Sequence, residues 1–180
     1  MKAGAFLRGV NVGGVTMFSR DLNEVFTRLG YTSVTTVLAS GNVCFEAQCD
    51  PPQAKAEIEA ALRERFAYVA WVQVLELDAL AKVIAAYPFA VGRAGWHDYV
   101  ILVGREQTAQ DLLAAAVSID ARREQVSAGN GVVYWTVEKG RTLDSDIGKA
   151  LAAVRFKPWV TTRTLLTLKK CAAKLEPAQP

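Results

Sequence analysis

The same order of predicted elements, strand–helix–strand–strand–helix–strand, occurs twice along this 180-residue chain. In each copy a hairpin signal separates the two middle strands: Ser40-Gly41-Asn42 in the first copy and Ala128-Gly129-Asn130 in the second. Gly and Asn tolerate the left-handed backbone angles that tight hairpins need, so both strings favour turns. The match predicts an internal structural repeat, although residue identity between the two copies is otherwise low.

The first copy has clear boundary signals. A strand is predicted from Ala3 to Arg8, and a helix begins near Ser19, which we interpret as its N-cap. Two β-branched runs flank the first turn. The Asp50-Pro51 pair predicts the start of a second helix with Asp50 as the cap, and Val69–Leu75 is the closing strand.

The second copy follows a connecting helix that Pro88 ends, and a further helix at 164–174 comes after it. We therefore predict an α+β fold of duplicated ferredoxin-like βαββαβ halves with antiparallel sheets and an extra C-terminal helix. The first half spans 1–76, a connecting helix and loop span 77–96, and the second half with the C-terminal helix spans 97–180. The two halves can pack as one domain.

Composition excludes several classes of protein. Hydrophobic residues make up 51% and charged residues 22% of the chain, as in ordinary globular proteins. No apolar run is long enough for a transmembrane helix, and the N-terminus lacks a secretory signal, so no membrane partner is expected. Three cysteines without CxxC spacing are best explained as reduced thiols in a cytoplasmic protein.

The predicted topology brings two polar segments together. In a split βαβ unit the first strand lies beside the third and runs parallel to the second, so its end shares a sheet edge with the hairpin turn. The residues predicted to bind a ligand at this edge are Arg8, Gly9, Asn11, Gly13, Gly14, Ser40, Gly41 and Asn42.

Glycine exposes backbone N–H donors, and a helix start near Ser19 favours negative charge. With a guanidinium and two amides, this edge suits a small anionic or nucleotide-like ligand. Tight-turn geometry and amides that satisfy loop backbone explain the same residues without any ligand. The string GVNVGG, from Gly9 to Gly14, is neither a P-loop nor a dinucleotide-binding fingerprint, and the sequence identifies no cofactor.

Thr162 and Arg163, just before the last helix, complete the predicted ligand-binding set. Thr162 can cap that helix, and Arg163 can point at a group bound near its start. A cap followed by a surface arginine is the competing structural explanation.

These motifs resemble those of the bacterial domain-of-unknown-function family 1697. Leu7 to Gly14, Ser40 to Val43 with Phe45, Pro88-Phe89 and Thr161 to Arg163 match, in order, the family strings LRGINVGG, SGNVVF, NPF and TTRNWNT. The resemblance covers essentially the whole chain and implies a duplicated ferredoxin-like fold with no assigned activity. Thr164-Leu165 stands where the family usually has Asn-Trp. If that pair contacts a ligand in relatives, this chain has lost part of the site or binds something else.

Other chemistries have weaker support. His97 is the only histidine and lies far in sequence from any candidate nucleophile, which favours a structural or exposed role. Cys44 is best interpreted as a small core residue, and no metal site is predicted because no ligand spacing is present.

Two alternative functions stay open. An enzyme could use Arg8, Asn11 and Asn42 to polarise a carbonyl or phosphoryl group, although no proton carrier accompanies them. A single-stranded nucleic-acid binder could stack bases on Phe6 and Phe45. The net charge of +3 and the lack of an RNP1-like string disfavour nucleic acid, and core packing explains these rings and the four tryptophans. The sequence indicates no oligomeric state.

Overall fold

A computed structural model describes residues 1–9, 17–38, 41–67, 70–116 and 119–176 of the chain. These residues form two compact units. The first contains Met1–Lys82 together with the chain from Thr167 onward, and the second contains Val83–Leu166. Each unit has its own sheet and its own hydrophobic core cluster.

The first unit has the element order predicted for the first copy, followed by a helix that runs into the second unit. Its elements are β1 (Lys2–Leu7), α1 (Ser19–Arg28), β2 (Thr32–Thr36), β3 (Asn42–Glu46), α2 (Pro51–Phe66), β4 (Val72–Glu76) and α3 (Leu77–Ala85).

Strand β1 is central in the first sheet, whose order is β2-β3-β1-β4. It pairs antiparallel with β3, placing Phe6 opposite Asn42, and antiparallel with β4, placing Leu7 opposite Val72. Alternate side chains of β1 join residues of α1 and α2 in one buried cluster, as expected for a strand whose side chains alternate between two faces.

The second unit repeats this plan. Its elements are β5 (Trp96–Val103), α4 (Glu106–Ala114), β6 (Glu124–Gly129), β7 (Val132–Glu138), α5 (Asp146–Ala152) and β8 (Val160–Thr164). The sheet order β6-β7-β5-β8 corresponds strand for strand to that of the first sheet, and all its pairs are antiparallel. The predicted duplicated ferredoxin-like α+β fold is confirmed.

The last helix, α6 (Leu165–Leu175), divides between the units, and its residues from Thr167 onward lie in the first. The sequence boundaries had grouped this helix with the second half. Its contacts explain the difference: the Cys44 Sγ lies 3.6 Å from the carbonyl oxygen of Cys171, and the Leu175 side chain packs over Gly4.

Local capping confirms one predicted helix start and corrects another. The Asp50 Oδ1 accepts a hydrogen bond from the backbone N–H of Gln53 at 2.9 Å, so Asp50 is the cap of α2 as predicted. Ser19 is not the cap of α1, because Phe18 occupies that extended position. The carboxylate of Asp21 reaches back to accept from the Phe18 N–H at 3.3 Å.

Candidate functional site

The end of β1 lies directly beside the β2–β3 turn. The backbone N–H of Leu7 donates to the carbonyl of Gly41 at 2.8 Å, next to the paired residues Phe6 and Asn42. The described parts of the two polar segments, Arg8–Gly9 and Gly41–Asn42, therefore lie at one edge of the sheet. We call this edge the first rim; its described residues are Arg8, Gly9, Gly41, Asn42 and Trp71, with the adjoining side chains of Lys55 and Glu59.

The predicted site residues differ in how open they are. Arg8 and Gly9 are half-buried, whereas Gly41 and Asn42 are buried. Gly9 and Gly41 both have a φ of 70°, a left-handed conformation that explains why glycine stands at these two positions. The remaining predicted residues of this edge, Asn11, Gly13, Gly14 and Ser40, lie outside the described residues.

Asn42 shapes the turn from inside. Its side chain is fully buried, and its Nδ2 donates to the carbonyl of Val37 at 2.8 Å. The Val37 N–H in turn donates to the carbonyl of Asn42 at 2.9 Å. The amide nitrogen is therefore engaged within the turn, and the structural explanation accounts for this side chain.

Two rim residues were missed by the sequence interpretation. Trp71 precedes β4, which starts where β1 ends, and its carbonyl accepts from the Arg8 N–H at 2.9 Å. The Lys55 ammonium lies 5.0 Å from the centroid of the half-buried Trp71 ring, at cation–π distance. It also donates to the carbonyl of Val72 at 2.6 Å and pairs with the Glu59 carboxylate.

The second unit has a corresponding edge, the second rim, built with the same backbone hydrogen bonds. The Val103 N–H donates to the carbonyl of Gly131 at 3.2 Å, as Leu7 does to Gly41. The Gly104 N–H donates to the carbonyl of Trp159 at 2.8 Å, as Arg8 does to Trp71. The repeat therefore extends to individual backbone bonds at both rims.

The two rims differ in the length of chain between strand and helix. In the second unit only two residues, 104–105, separate β5 from α4. In the first unit eleven residues, 8–18, separate β1 from α1. Since two residues suffice to close the same topology, nine of the eleven are not needed for that connection.

The second rim borders an open groove of about 500 Å³ that includes Arg105 and Asn130. The Arg105 guanidinium lies over the Trp159 ring, 3.3 Å from its centroid. A guanidinium stacked on an indole is held by cation–π attraction, so Arg105 is an exposed cation anchored on the Trp159 ring. It follows β5 as Gly9 follows β1 in the repeat.

The other predicted site residues, Thr162 and Arg163, lie inside β8 in the second unit. Thr162 pairs with Ile101, and α6 begins only at Leu165, so the interpretation of Thr162 as a helix cap is wrong. The Arg163 Nη1 donates to the Thr161 Oγ1 at 2.7 Å and to the Thr162 carbonyl at 2.8 Å. These contacts hold the guanidinium against its own strand.

A family model with the description "Protein of unknown function (DUF1697)" matches residues 1–134. The chain belongs to this family. Among solved structures, the DUF1697 chain is similar to the conserved bacterial protein SP0830 from Streptococcus pneumoniae, with a TM-score of 0.81 and 20% sequence identity. The similarity covers 97% of this chain and 98% of that one, and it shows a shared fold. No match was found among curated proteins.

The aromatic residues of this DUF1697 protein bear on the nucleic-acid interpretation. Phe6 and Phe45, the two rings proposed to stack bases, are both fully buried. Trp135 is buried as expected, whereas the other three tryptophans, Trp71, Trp96 and Trp159, are only half-buried. The described structure therefore presents neither phenylalanine to a base.

The described part of this DUF1697 chain also bears on metal and membrane chemistry. There, no three His, Cys, Asp or Glu side chains gather closely enough to hold a metal ion. His97 is the second residue of β5, and its ring centroid lies 5.4 Å from that of Tyr99. None of the described helices is both long and apolar enough to cross a bilayer.

Proposed function

We propose that this DUF1697 protein is a cytoplasmic protein that binds a small anionic or nucleotide-like ligand at the first rim. The supporting observation is the difference between the repeats: the first unit uses eleven residues where the second closes the same fold with two. Binding residues concentrate on connections carried by a rigid scaffold. Three of the eleven residues, Gly9, Gly13 and Gly14, are glycines, which allow backbone N–H groups to approach a ligand closely.

The charges at this rim favour an anion. Arg8 is half-buried at the end of β1, and a guanidinium can hold a phosphate or carboxylate through two parallel hydrogen bonds. The Lys55 ammonium above the Trp71 ring is already paired with the Glu59 carboxylate, so Arg8 is the cation on which anion binding depends. The half-buried indole also offers a flat surface of the kind on which bases stack.

Binding is favoured over catalysis by the groups found at this rim. Among the described residues there, the carboxylate of Glu59 accepts from the Val72 N–H at 2.9 Å and pairs with Lys55. Both contacts go to the same carboxylate oxygen, Oε1, which is therefore engaged within the protein. The described rim residues include no histidine or cysteine.

A thermal-shift screen against nucleotides and phosphorylated metabolites tests the proposal. We expect at least one ligand to raise the melting temperature of the wild-type protein. Arg8→Ala should lower the affinity for that ligand by about tenfold or more, because roughly one charge-assisted hydrogen-bond pair is lost. Asn11→Ala should weaken it as well.

Arg105→Ala is the matched control, since it removes a cation from the second rim while leaving the first unchanged. It should retain wild-type affinity. An equal loss of affinity in Arg105→Ala would indicate that the ligand binds at the second rim instead. If no ligand binds in a way that depends on Arg8, the proposal is refuted.

A further inference from the structure

Two of the three cysteines, far apart in sequence, meet inside the first unit. Cys44 lies on β3 and Cys171 on α6, and they are separated by 127 residues. The Cys44 thiol donates to the carbonyl oxygen of Cys171 at 3.6 Å, and the Cys171 side chain is close enough to lower the pKa of Cys44. The exposed fractions of the two residues are 1% and 0%.

The surroundings favour ionisation of one of these thiols. The hydrogen bond from the Cys171 side chain lowers the pKa of Cys44, and the Lys174 ammonium lowers it further. Burial acts in the opposite direction without overcoming the two. The thiolate is the form of cysteine that attacks oxidants and disulfides, so these contacts favour Cys44 as the attacking thiol of the pair.

The third cysteine has a different environment. Cys49 is half-buried, and its thiol lies 3.9 Å from the hydroxyl of Tyr31, to which it donates a weak hydrogen bond. Among the described contacts, the Cys49 thiol is hydrogen-bonded to the Tyr31 hydroxyl. Cys44 and Cys171, by contrast, are neighbours of each other. Cys49 therefore serves as an internal comparison.

We propose that Cys44 and Cys171 are an oxidative modification site that closes to a disulfide when the protein meets a peroxide. The Cys44 thiolate attacks one peroxide oxygen, giving a sulfenic acid and hydroxide, which takes up a proton to become water. The Cys171 thiol then attacks the sulfenic sulfur, and the hydroxyl leaves as a second water. Two thiols and one hydrogen peroxide thus give one disulfide and two waters, with each sulfur oxidised by one electron.

The position of the pair gives this bond a structural consequence. The first unit consists of two segments of chain, and Cys171 lies in the shorter one, which starts at Thr167. A bond to Cys44 would fasten that segment covalently to the sheet. It would also constrain the unfolded chain over a loop of 127 residues, which is the range in which cross-links stabilise strongly.

The test uses Cys49→Ser, which keeps only the proposed pair. Treatment with hydrogen peroxide should remove both remaining thiols, and a non-reducing digest should contain one cross-linked peptide joining positions 44 and 171. The melting temperature should rise by about 5 to 10 °C, as expected for a long closed loop, and return after reduction with dithiothreitol.

Because both thiols are buried, a second arm refolds the same variant from denaturant in a glutathione redox buffer, where access is not limiting. Cys44→Ser and Cys171→Ser should form no intramolecular link in either arm. Absence of the 44–171 peptide from peroxide-treated Cys49→Ser would overturn the proposal, and a link formed only in the refolding arm would show that the pair can bond but is not a peroxide site. Preferential pairing of Cys49 in the wild-type protein would also overturn the proposal.

Discussion

Phe45→Ala should lower the free energy of unfolding by about 4 kcal/mol, as is usual for removing a buried phenylalanine ring. Phe45 is fully buried in the first unit. Its ring stacks on that of Tyr31 with centroids 4.9 Å apart and meets Phe26 edge-on at 5.3 Å. The cavity left by alanine would remove both aromatic contacts together with the packing of the ring. Urea unfolding followed by circular dichroism measures the loss.

Phe18→Ala is the matched control, because 62% of that residue is exposed. We expect its stability to change by less than about 0.5 kcal/mol. The comparison also tests the nucleic-acid interpretation, in which Phe45 stacks on bases. A Phe45→Ala protein of wild-type stability that had lost salt-dependent binding to RNA would contradict the packing described here.

Gly148→Ala should destabilise the protein by about 3 kcal/mol or more, at the upper end of the range for overpacking. A Cβ at this position would lie 1.8 Å from the carbonyl oxygen of Thr142, which is backbone and cannot rotate away. Ser145 caps α5: its Oγ accepts from the Gly148 N–H at 3.1 Å and donates to the Thr142 carbonyl at 3.4 Å. The turn that carries Thr142 is therefore fastened to the start of α5. The turn or the helix must move to admit a methyl group.

Such a movement would also disturb the buried carboxylate of Glu124. This group accepts from the N–H groups of Asp146 and Ile147 and, at 2.7 Å, from the Trp135 Nε1. We therefore expect tryptophan fluorescence to change along with stability. Lys149→Ala, at an exposed neighbouring position, should change neither. Wild-type unfolding of Gly148→Ala would show that the turn does not lie against the helix in this way.

The meeting of the strand end and the hairpin turn was predictable because few topologies satisfy the element order. Hairpin signals fix two strands as antiparallel neighbours, and a split βαβ unit places the first strand beside the third. The turn residue Gly41 thus helped to predict which strands are neighbours in the sheet. The fold class and the first rim followed from the same reasoning.

Other features depended on contacts that no local pattern encodes. The apolar face of α6 indicates that the helix is packed, but not against which sheet, and so its place in the first unit was missed. Thr162 has the chemistry of a cap, yet pairing with β5 keeps it within a strand. Trp71 was interpreted as core because large aromatics usually are, although its position before β4 leaves it half-buried at the rim.

Calorimetric titration of the strongest ligand from the screen, against wild-type protein and a variant lacking residues 11–15, tests the central claim most directly. The variant retains the core residue Met17 and keeps six residues between β1 and α1, more than the two that suffice in the second unit. We predict cooperative unfolding within about 1 kcal/mol of wild type and an affinity reduced by about tenfold or more. Unchanged affinity, or failure of the shortened chain to fold, would contradict a ligand-binding role for this connection.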